Sequence, residues 1–150
     1  MKNQVTTIEQ SKRLLELGVL AEKAGMVWEY WINQDFSQVP SEEVYYNLNT
    51  KSNRDVDSCD EDIPAFTVAD LLGALPCHCR MPDGAWINME IGKWEGVWRL
   101  AYYQMASGSD EVLCGGAGRE YYFSQQSTLL IDLLYGAAEW LLSNKCELKI

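Results

Sequence analysis

The chain has 150 residues, with 22 acidic and 12 basic side chains and a net charge of −10. That length suits one domain burying about two-thirds of its unfolded surface. The charge disfavours direct contact with phosphate backbones or anionic membranes, since both are held by Lys and Arg.

No run approaches the roughly 18 apolar residues of a membrane-spanning helix. The Met1–Thr7 stretch has no apolar segment after Lys2, so an export signal is not expected. The five cysteines (59, 77, 79, 114 and 146) are odd in number and irregular in spacing, which points to free thiols in a cytoplasmic setting. Six Trp and eight Tyr are many for this length. Such rings either fill a core or make a contact surface.

In chain order, Thr6 and Glu9 have capping-box spacing, and Ile8, Leu14, Leu15 and Leu17 recur at helical intervals before Gly18. This predicts a helix over about 7–17. The apolar, aromatic run Met26–Ile32 reads as a strand. From Glu29 to Asp62 there are nine acids against Lys51 and Arg54, a local charge of −7. Apolar periodicity fades there, so residues 33–62 are expected to form an acidic loop insertion with at most a short strand at Val44–Tyr46. Ile63–Phe66 is extended. Thr67 caps a second helix over 67–75, with Asp70 three residues on and Pro76 after its end.

Residues 86–92 and 97–105 alternate with period two and read as a β-hairpin, in which Gly92-Lys93-Trp94-Glu95-Gly96 is the link. Gly108–Gly118 is a glycine-rich connection, and Arg119–Phe123 a further strand. Ser127 is placed at the cap of a last helix over 127–143. Ile87, Met89, Trp98, Leu100, Leu130, Leu133 and Leu134 are expected to form the core. The sum is one α+β domain, with an antiparallel sheet of about four strands covered by helices.

Thr7-Ile8-Glu9-Gln10-Ser11 with Leu14-Leu15, Ala24-Gly25-Met26, Ile63-Pro64-Ala65-Phe66-Thr67 with Leu71-Leu72, Trp98-Arg99-Leu100-Ala101-Tyr102 and Leu130-Ile131-Asp132 follow one another in an order that resembles uncharacterised short acidic proteins. These are carried by phages, prophages and conjugative elements of gut anaerobes. The resemblance implies a cytoplasmic accessory protein of a mobile element, and transfers no activity and no catalytic residue.

Cys77-His78-Cys79 is a weak zinc candidate: thiolates and imidazole are zinc ligands, but the spacing is not that of a Cys-x2–4-Cys knuckle and no second pair exists. The other reading is two small buried thiols flanking an exposed histidine. Asp55-Val56-Asp57-Ser58-Cys59-Asp60-Glu61-Asp62 fits a calcium loop badly, with Cys59 and Asp60 where oxygen ligand and glycine belong. Gly115-Gly116-Ala117-Gly118 lacks the Lys-Ser/Thr of a phosphate loop. No nucleophile elbow or metalloprotease helix occurs, so neither catalysis nor a cofactor is expected.

The better candidate is the outward side of the hairpin. With Ile87, Met89 and Ile91 inward, Trp86 faces out and Trp94 sits in the turn. Together with Asp55, Asp57, Asp60, Glu61 and Asp62 they form the expected binding set. The competing reading packs the 33–62 segment over both tryptophans. The expectation is a non-enzymatic protein-binding role for a monomer or weak homodimer, without direct nucleic-acid or membrane contact. The alternatives are an acidic nucleic-acid mimic that blocks a basic host protein, and a small cysteine- or carboxylate-dependent enzyme.

Overall fold

The computed structural model describes residues 2–33, 43–50, 61–105 and 118–149. They divide into two units, Met1–Asp70 and Leu71–Ile150. The class is α+β, with three α-helices and two antiparallel sheets among the described residues.

In the first unit, α1 spans Ile8–Glu16, β1 Met26–Asn33, β2 Glu43–Thr50 and β3 Ile63–Ala65, in the sheet order β2-β1-β3. The cap of α1 is Thr7, one residue later than expected. Its hydroxyl accepts from Gln10 N–H (3.2 Å), and the Gln10 side chain accepts from Thr7 N–H (2.9 Å). Thr6 has no hydroxyl to spare. Fully buried, it accepts from Phe66 N–H (3.0 Å), shares a hydrogen bond with Ser11 (2.7 Å), and takes the Trp28 indole N–H on its carbonyl (3.0 Å). Val5, Trp28, Ile63 and Ala65 pack around this hub, with Ile8, Met26, Tyr46 and Leu48 against them.

Strand β2 lies inside the expected acidic loop and is longer than the Val44–Tyr46 fragment read there. Its Asn47 and Asn49 resemble loop chemistry, but pairing with β1 outweighs intrinsic preference. Tyr46 sits directly opposite Tyr30, edge to face at 5.6 Å, and Asn49 donates to Glu29 (3.2 Å). With β2 as its neighbour, β1 belongs to a sheet of its own, and the strands divide between two sheets where one was expected.

Helix α2, Val68–Ala74, has the expected box: Thr67 accepts from Asp70 N–H (3.1 Å), and the Asp70 carboxylate accepts from Thr67 N–H (2.8 Å) and Gly25 N–H (2.9 Å).

In the second unit, β4 His78–Arg80, β5 Trp86–Trp94, β6 Val97–Met105 and β7 Arg119–Ser127 form a meander in which sequence neighbours pair. Helix α3, Leu130–Ser143, covers one face. Trp140 stacks against Tyr102 (5.9 Å) and lies 5.2 Å from Phe123. A Cβ at Gly136 would meet the end of the Gln125 side chain, which lies against the helix there.

Ile87, Leu100, Leu133 and Leu134 are fully buried, as expected. Met89, Trp98 and Leu130 are half-buried, and Ile131 takes the inward place given to Leu130. Ser127 ends β7 and is not the helix cap. Its hydroxyl accepts from Leu129 N–H (3.1 Å), two residues short of α3.

Candidate functional site: the outer face of the four-stranded sheet

Strand register decides which side chains share the face opposite α3. Opposed pairs on that face are Arg80 with Trp86, His78 with Asn88, Asn88 with Tyr103, Glu90 with Ala101, and Gly92 with Arg99. Trp94 with Val97, Arg99 with Gln126, Ala101 with Ser124, Tyr103 with Tyr121 and Met105 with Arg119 complete it. Trp86 is 59% exposed and Trp94 79%, so no described segment covers either ring.

The hairpin is tighter than expected. Trp94 pairs with Val97, which leaves only Glu95 and Gly96 in the turn, at φ +48° and +82°. Two positive φ angles in a two-residue loop match the right-handed twist of the flanking strands. Trp94 is therefore the last residue of β5, fixed by the ladder, and Gly92 is a strand residue on the outer face.

Strand β7 contributes through a bulge. Tyr102 pairs with Phe123 and Tyr103 with Tyr121, so Tyr122 is the extra residue. In an unbroken strand, Tyr121 and Phe123 would share a face. The bulge sends Phe123 inward to Trp140 and Tyr121 outward, 6.1 Å from Tyr103. Arg119 then lies over the Tyr103 ring (4.4 Å), and Arg99 reaches over Tyr121 (5.3 Å). Cations over aromatic faces are held by the ring quadrupole. The Tyr121 hydroxyl, and with it the Glu90 carboxylate that pairs with Arg119, holds the Arg119 pKa above its ordinary value.

At the Trp94 end the face is concave. Gly92 and Ala101 have too little side chain to fill their positions. A depression of about 230 Å³ lies there, walled by Glu90, Lys93, Trp94 and Arg99. A second, of about 410 Å³, lies between Trp94, Glu95, Val97, Arg99 and Gln126. At the other end, His78 sits 6.4 Å from Trp86.

The remaining candidates are scattered. Asp55, Asp57 and Asp60 lie outside the described residues, as do Gly115–Ala117. Glu61 is exposed in the first unit, and Asp62 is half-buried and accepts from Tyr30 N–H (2.8 Å), a structural use of its carboxylate. Cys77, His78 and Cys79 do not converge. Cys77 precedes β4, His78 points outward, and Cys79 points to the inner side near Cys146. Among the described residues no group of three potential ligands could hold a metal ion. Burial raises the Cys79 thiol to about 11, with Cys146 adding to the effect. Cys146 itself is buried against the sulfur of Met81 (3.4 Å) and is raised by burial too. Burial thus favours the protonated form of both thiols, which lowers their reactivity.

The tryptophans stand out in the sequence; Arg80, Arg99, Tyr103, Arg119 and Tyr121 do not. The alternation of β6 already sets Arg99 and Tyr103 on the side opposite Leu100 and Tyr102. Placing Arg80 requires β4, and placing Tyr121 and Arg119 requires the bulge.

Comparison with protein-family models, with curated proteins and with solved structures finds no match.

Proposed function

We propose that the protein is a non-enzymatic, cytoplasmic accessory protein of a mobile element that acts by binding another protein through the outer face of the β4–β7 sheet. The observation that carries the reading is Trp86 and Trp94 standing 59% and 79% exposed on one face, with two depressions beside Trp94. Large exposed rings are a solubility liability unless something covers them, and Trp, Tyr and Arg are the residues that carry binding energy at interfaces. The mobile-element setting rests on the resemblance of the sequence alone.

The test compares the wild type with a Trp86→Ala/Trp94→Ala variant as baits in a lysate of the source cell, each at low and high salt. A partner retained at high salt and lost with the double variant is expected. A partner that ignores the tryptophans and dissociates steeply with salt would instead support the acidic mimic, because exposed charge interactions are screened.

A further inference from the structure

We infer that the outer face takes an extended acidic peptide segment, with carboxylates about six residues apart that reach Arg80 and Arg99 and apolar side chains that rest on Trp86 and Trp94. The inference rests on the protein-binding reading above and gives the partner its chemistry.

Charge on this face runs against the rest of the chain. The whole molecule has a net charge of −10, yet three of its five arginines (Arg80, Arg99 and Arg119) lie on this one sheet face, where Glu90 is the strand carboxylate among the described residues. Glu90 is engaged by Arg119. Arg80 and Arg99 have no carboxylate partner among the described residues. Each stands by an exposed tryptophan: Arg80 directly opposite Trp86, and Arg99 opposite Gly92, next but one to Trp94. Arg99 is held in place over the Tyr121 ring and forms a wall of both depressions. A guanidinium positioned by a ring loses little freedom when it binds a carboxylate in its planar fork.

Spacing sets the register. From Trp86 to Gly92 is six strand residues, roughly 20 Å at about 3.3 Å each, and because Arg80 and Arg99 flank β5 on opposite sides the line between them runs obliquely across it for about 22 Å. Carboxylates six residues apart on an extended peptide project to the same side. At the Arg99 end, the hollow over Gly92 and Ala101 admits an apolar side chain against Trp94.

A single-stranded nucleic acid also uses aromatic platforms and cations, but it fits less well. It brings a phosphate with every nucleotide, and Glu90 lies between the two free guanidiniums with Glu95 at the rim.

The test selects peptides from a displayed random dodecamer library on the full chain, then titrates the best synthetic peptide. Targets are the wild type, Arg80→Ala, Arg99→Ala, the two Arg→Lys variants and Trp86→Ala/Trp94→Ala, each checked for unchanged thermal melting. A dodecamer of deoxythymidylate is titrated in parallel, and both ligands are measured at several salt concentrations. Enrichment of acids five to seven apart is expected, with affinity falling about tenfold or more in either Arg→Ala variant and less in Arg→Lys. A shallow salt slope, consistent with about two ion pairs, should accompany it. Non-acidic peptides that ignore both arginines but need the tryptophans would overturn the acidic specificity and leave the docking face standing. Failure to enrich any peptide, or binding indifferent to all these substitutions, would overturn both. Tighter binding of the oligonucleotide with a steep salt slope would overturn the peptide in favour of nucleic acid.

Discussion

Tyr102→Phe removes a single oxygen from the centre of the second unit. Tyr102 is fully buried, and its hydroxyl donates to the carbonyl of buried Pro76 (2.9 Å) and lies 3.4 Å from the Met89 sulfur. The ring and its stack on Trp140 survive the change. What is lost is one hydrogen bond, and what remains is a buried carbonyl without its donor, a situation that costs roughly 1–3 kcal/mol. Urea unfolding followed by circular dichroism should show that loss as a lower midpoint with unchanged slope. A second signature lies in the pH dependence. Burial foremost, then Cys79, Cys77 and Cys146, push the Tyr102 phenol above its ordinary 10.0. The unfolded chain therefore ionises first. The stabilisation is complete below pH 10 and is lost as pH rises through the folded value. Cys79, raised from 9.0 to about 11, acts in the same direction. The alkaline fall should be shallower in Tyr102→Phe but still present. A variant within about 0.3 kcal/mol of wild type and with an identical alkaline profile would refute this account of the core.

Glu95 occupies a left-handed conformation that disfavours side chains other than Asn, Asp and Gly. Glu95→Asn creates the Asn-Gly pair preferred in this turn and should stabilise the protein by about 0.5–1 kcal/mol in the same assay; destabilisation would contradict the two-residue turn. Alkylation with iodoacetamide at pH 8, followed by peptide mapping, should modify exposed Cys77 well before Cys79 and buried Cys146. At a pKa of about 11 against 9.0, the thiolate fraction of Cys79 is reduced about a hundredfold. Equal labelling rates at Cys77 and Cys79 would show that β4 does not shelter the latter.

Elements defined by local chemistry are legible in the sequence alone. The alternation of residues 86–92 and 97–105 is hydrophobic on the side that α3 covers, and Thr67 with Asp70 marks a helix start whatever surrounds it. Elements decided by distant partners are not legible in this way. Thr6 and Thr7 are equivalent as caps in sequence, and only the claim of Phe66 on Thr6 settles which one serves α1. Strand β2 is polar enough to pass for a loop until β1 is beside it. Of the candidate surface, Trp86 follows from alternation, but Tyr121 has the wrong parity for the outer face and reaches it only through the extra residue at Tyr122. A bulge leaves no composition signature in a run of Tyr-Tyr-Phe.

The Thr6 hub also bears on how the chain finds its structure. The β4–β7 meander can zip from one strand to the next, and its hairpin closes over two residues. The Phe66 N–H bond of the hub instead joins residues 60 apart in sequence, and it forms only once that long loop has closed, whereas the Ser11 and Trp28 bonds of the hub are more local. Closure entropy must be met before such distant contacts contribute, which slows their formation. Phe66 N–H should therefore gain its protection later than the amides of the second unit's hairpin.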